Sequence, residues 1–118
     1  MGNNSVLHEK WTSLLNFLHQ SFGKKPKDLN AVLFIIGVQE LGQGKKNFTK
    51  EQKQDLLHIA ICKVLSLGGY YSLSGIDKDG WPHWDLVKPL PNFDLVLQEE
   101  LLKEFVIEYF VKEIGLHI

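Results

Sequence analysis

Ser74-Gly-Ile-Asp-Lys-Asp-Gly-Trp-Pro-His-Trp-Asp85 constrains the fold more than any other stretch. Its twelve residues hold two Trp, one Pro, one His and three Asp, a composition unlike that of a helix. Asp77-Lys78-Asp79-Gly80 reads as a type I turn, with Asp first and Gly fourth. Gly supplies the positive φ that the fourth position of such a turn often needs. Tyr70, Tyr71, Leu73 and Ile76 precede the turn, and Trp81, Trp84, Leu86 and Val87 follow it. Aromatic and β-branched residues around a Gly turn predict a β-hairpin, here Tyr70–Ile76 paired with Trp81–Val87. Pro82 has no amide donor, so its strand is expected at an edge or a bulge.

The rest of the chain carries helical spacing. Leu7, Trp11, Leu14, Leu15, Leu18 and Phe22 form one stripe, with Asn4 or Ser5 to cap its start and Gly23 to close it. Ala31 to Val38 is apolar throughout apart from Gly37. Periodicity alone does not say whether it is strand or helix. Asp28 as a cap and continuation through Gln39-Glu40-Leu41 to Gly42 favour a helix, and one so apolar belongs in the middle of a bundle. Thr49-Lys50-Glu51-Gln52 is a capping box. The helix it opens places Leu57, Ile61, Val64 and Leu65 on one side, with Leu56 and Ala60 beside them, and ends at Gly68-Gly69. A last helix runs from about Asp94 to Glu113, capped by Asn92 or Asp94. The chain therefore reads as one globular domain over residues 1–118, mainly α, with about four helices in a small bundle and one hairpin, at about 70–87, before the last helix.

Composition narrows the function classes. The formal net charge is −1 and all thirteen basic residues are Lys. Without Arg, the usual bidentate reader of phosphate and guanine, nucleic-acid binding is disfavoured. Lys24, Lys25 and Lys27 occupy the first interhelix loop and Lys45 and Lys46 the second. The two loops are expected at opposite ends of an antiparallel bundle, so they should not merge into one basic patch. Cys62 is the only cysteine, which rules out an intrachain disulfide and fits a reducing cytoplasm. No stretch is long and apolar enough for a transmembrane helix, and the start lacks an apolar signal region. A cytoplasmic protein that binds neither membrane nor nucleic acid is expected.

The pattern also resembles a family of small, uncharacterised bacteroidete proteins. The resemblance rests chiefly on Gly37-Val-Gln-Glu-Leu-Gly42, His58-Ile-Ala-Ile-Cys62 and Asp79-Gly-Trp-Pro-His-Trp84, and spans most of the chain. It implies no catalytic residues, because no activity is assigned to that family.

Residues able to carry chemistry are few. Glu40 continues the apolar line Leu29-Leu33-Ile36, where a carboxylate either points inward or reaches solvent as the helix ends. His58 and Cys62 stand four apart on one helical face. With Glu40 and His83 they make an alternative metal or enzyme set, against the plainer reading of packing residues. Cys62 is not at a helix start, where a thiolate is stabilised. No nucleophile elbow, P-loop or dinucleotide fingerprint occurs. No catalytic residue, metal or cofactor is therefore assigned. Tyr70, Tyr71, Trp81, His83 and Trp84 form a candidate platform for a small polar ligand or a protein, or else a lid over the bundle's end.

The last helix has two apolar stripes. Leu101, Leu102, Phe105, Val106 and Tyr109 are expected to face the bundle. Ile107, Phe110, Val111 and Ile114 recur at i, i+3, i+4 and i+7 as a second stripe, which one core does not easily bury. That stripe is expected to meet the hairpin or another chain, with a homodimer through the C-terminal helix as the preferred form. The leading expectation is a non-enzymatic binding or self-association module.

Overall fold

The computed structural model describes residues 3–44, 46–92 and 94–117, with the side chains of residues 3 and 4 left out. Lys45 and the capping role of the Asn4 side chain thus lie outside the described residues. Four helices, α1 (Asn3–Phe22), α2 (Leu29–Leu41), α3 (Lys50–Ser66) and α4 (Leu95–Tyr109), enclose one core. The hairpin β1 (Tyr71–Ile76) and β2 (Pro82–Leu86) is inserted between α3 and α4.

Local chemistry explains each boundary. α1 starts at Asn3, so Ser5 sits inside its first turn rather than ahead of it. Gly23, at φ 75°, closes α1 by donating to the His19 carbonyl. Asp28 Oδ1 accepts from the Ala31 amide at 2.9 Å to start α2. Both halves of the Thr49–Gln52 capping box form, at 3.0 and 3.1 Å. Asp94 caps α4 through the Leu97 amide at 2.9 Å. One feature has no signal in the periodicity. α4 continues into a π turn, Phe110–Ile114, which Gly115 closes at φ 85°.

At Gly37, α2 lies directly against the backbone of α3. A methyl group there would lie 2.3 Å from the Leu56 carbonyl oxygen, so only glycine lets the two backbones meet. On α3, Leu56, Ile59 and Ala60 are buried, and Leu57 and Ile61, half-buried, pack against the core with Val64 and Leu65. α2 is also less central than its composition predicts. Val32, Leu33 and Ile36 are buried, whereas Phe34, Ile35 and Val38 are half-buried along its outer side.

α4 lies between α1 on one side and α3 on the other. Two flanking neighbours cover a wide arc, so Val106, Ile107, Tyr109 and Phe110 are all buried in the core. The expectation that one core leaves the second stripe of α4 uncovered fails at Ile107 and Phe110. Only Val111 and Ile114 stay exposed, each at 41%.

Candidate functional site

The hairpin is organised around one carboxylate. Asp77 Oδ1 accepts from the amides of Asp79, at 2.9 Å, and Trp81, at 3.0 Å. Its Oδ2 pairs with His83 Nε2 at 2.9 Å. The His83 side chain, and next the Trp81 amide, hold the Asp77 carboxyl below its ordinary range. The Gly80 amide donates to the Asp77 carbonyl at 3.0 Å and Gly80 adopts φ 88°, which is the type I turn followed by a left-handed glycine. From the α2–α3 loop, Gln43 Nε2 donates to the Asp79 carbonyl at 2.9 Å and ties the hairpin tip to the bundle.

A bulge sorts the two faces. Leu73 pairs with Trp84 and Gly75 with His83, leaving Ser74 as the extra residue. Its Oγ donates to the His83 carbonyl at 3.0 Å. Without the bulge, Ile76 would fall on the opposite face from Leu73. With it, Ile76 lies opposite Pro82, on the side of Tyr71, Leu73, Trp84 and Leu86. Ser72, Gly75, His83 and Asp85 take the polar side.

The five platform candidates separate into two groups. Tyr70 packs edge-on against Phe105, with ring centroids 6.2 Å apart, and Lys88 Nζ lies 4.3 Å from its ring centre. Tyr71 flanks the core, and its phenol is shifted upward by burial and then by the nearby Cys62. Trp81, His83 and Trp84 line a cleft of about 450 Å³ against α3, together with Gln52, Asp55, His58, Ile59 and Asp77. Trp84 Nε1 is buried beside it without a hydrogen-bond partner among the described residues.

The alternative set is also divided. His58 Nε2 lies 3.6 Å from Cys62 Sγ, and His58 and His83 share the α3 cleft. Glu40 is elsewhere: its Oε2 accepts from the buried Tyr109 hydroxyl at 2.7 Å. Burial pushes the Cys62 thiol up to about 11, so at neutral pH it is a protonated packing group rather than a nucleophile. Among the described residues no three His, Cys, Asp or Glu side chains gather as a metal-binding group. Among the described residues no helix is long and apolar enough to cross a membrane.

A surface that periodicity did not single out is the most exposed apolar one. Of twelve large apolar side chains exposed among the described residues, eight fall between Leu73 and Leu97. Leu73, Ile76 and Leu86 project from the apolar side of the hairpin, followed by Val87 and Leu90. Leu95, Val96 and Leu97 leave the first turn of α4 almost bare, Leu95 at 83% exposure. The alternation in both strands carried the signal, but the single-residue bulge hid it. Compared with models of known protein families, with curated proteins and with solved structures, the chain matches none.

Proposed function

We propose that this protein is a non-enzymatic binding module that works through the apolar side of its hairpin, with self-association as the form it takes. The observation carrying this reading is the concentration of exposed Leu, Ile and Val between Leu73 and Leu97. Exposed apolar side chains in such number mark interaction sites, although Tyr71 and Trp84 on the same side are turned to the bundle. The sheet has only two strands, so each has an unpaired edge, and β1 carries neither a charge nor a proline to blunt it. A second copy offers the same apolar side and the same edge, and two-fold pairing is the commonest way for such a surface to close on itself. The C-terminal helix contributes less to this reading, because only Val111 and Ile114 of its second stripe reach the surface.

Light scattering across a concentration series tests it. The unmodified protein is expected to reach twice the monomer mass, and Ile76→Lys and Leu86→Lys to remain monomeric with unchanged thermal unfolding. A monomer at every concentration, or lysine variants that still pair, refutes the self-association reading.

A further inference from the structure

We propose that the groove on the outer side of α2 is a binding site for a single-chain amphiphile with an anionic head, such as a medium-chain carboxylate. The groove encloses about 720 Å³, within the range of about 300–1,000 Å³ typical of small-ligand sites. Its walls are Phe22, Phe34, Ile35, Val38 and Phe48, with Phe34 and Phe48 edge to face at 6.3 Å. On this side α2 is only half covered, with Phe22 at the end of α1 and Phe48 of the following loop as its neighbours across the groove. A narrower cleft of about 130 Å³ shares Phe22, Ile35 and Gln39 with the groove and reaches inward to Tyr109 and Phe110. An alkyl chain would continue there and cover Phe22, which is 59% exposed.

Few polar side chains line the groove. Gln39, Lys46 and Asn47 line the groove, and Lys46 is the only charged one among the described residues that line it. Lys46 Nζ donates to Gln43 Oε1, and no carboxylate among the described residues pairs with it. Its remaining hydrogens are available to an anion at the mouth. Apolar walls with one cation at the rim complement an apolar chain with one negative charge, and disfavour a neutral or cationic head.

Isothermal titration of the whole protein with hexanoate, octanoate and decanoate tests this, below the concentrations at which they form micelles. Affinity is expected to rise by up to about fourfold per added methylene. Decanoate is expected to outbind decyl alcohol, and Lys46→Gln to lower decanoate affinity about two- to fivefold without altering that of the alcohol. Lys46→Arg restores the preference. Amide shifts on binding are expected at Phe34, Ile35, Val38 and Phe48. Equal affinity for acid and alcohol overturns the anionic head. Shifts confined to the hairpin, or no binding by decanoate, overturn the site itself.

Discussion

At Gly37 one absent methyl group sets how closely two helices pack. Gly37→Ala places a carbon against the Leu56 carbonyl, a backbone atom that cannot swing aside. Overpacking of this kind costs about 1–3 kcal/mol, and urea denaturation is expected to show a loss of that size. The Tyr109–Glu40 bond joins residues 69 apart in sequence. Tyr109→Phe leaves the half-buried carboxylate short of a donor and is expected to destabilise by about 1–3 kcal/mol. Tyr109 and Cys62 set an alkaline limit. Burial raises the Tyr109 hydroxyl above its ordinary range, with the Glu40 bond adding to it, and raises Cys62 from 9.0 to about 11. Between the unfolded and folded values the unfolded chain binds fewer protons, so stability falls as pH rises. The loss is expected to begin near pH 9 through Cys62, and to continue above about pH 10 through Tyr109. Denaturation midpoints of Cys62→Ala and Tyr109→Phe across that range should each remove part of the slope. The place of Glu40 on an apolar line left it open whether the carboxylate turns inward or reaches solvent, with solvent the plainer reading, and the bond from Tyr109 decides it. Its partner was not legible, because spacing along one helix says nothing of a residue on another.

The hairpin is the element that its sequence describes best. Asp77, Gly80 and the flanking aromatics each require a particular backbone conformation, and local chemistry alone fixes the turn. Gly80→Ala forces a side chain into φ 88° and crowds Gln43, so a loss of roughly 1–2 kcal/mol is expected from thermal unfolding. Asp77 gives the hairpin an acid limit of the opposite sign. Its carboxyl is held low in the fold, chiefly by His83, so the unfolded chain takes up the proton first as pH falls. The stabilisation is complete above the ordinary carboxylate pKa of about 3.9 and is lost below it, as Asp77 itself protonates. The amide proton shifts of Asp79 and Trp81 are expected to move together in that range, and Asp77→Asn to abolish the transition. What the sequence concealed was the bulge at Ser74, since an alternating pattern is read correctly only once the register is known. The π turn of Phe110–Ile114 was hidden for the same reason: a 3.6-residue wheel has no place for an extra residue.

Across the whole molecule, the arrangement of four helices and a hairpin follows from caps, stripes and turn, but which stripe is covered depends on how many neighbours a helix has. α4 illustrates this, because α1 and α3 flank it and bury Ile107 and Val106 together. The C-terminal stripe is therefore two surfaces. Ile107 is 7% exposed and belongs to the core, touching the surface only at the floor of a groove that it lines with Val6, Leu7 and Lys10, whereas Val111, on the same groove, is 41% exposed. Lysine at these neighbouring positions should then act in different ways. Ile107→Lys buries an ammonium or expels it at the expense of packing, and a loss of at least 3 kcal/mol is expected, about the size of a large core truncation. Val111→Lys is expected to change unfolding by less than about 0.5 kcal/mol, as for other surface changes. Equilibrium denaturation separates the two, and light scattering on the folded Val111→Lys protein then reads the C-terminal face alone. An unchanged mass, beside a monomeric Ile76→Lys variant, leaves the hairpin as the surface through which copies meet. A fall in mass for Val111→Lys, with Ile76→Lys still paired, moves the contact to the end of α4.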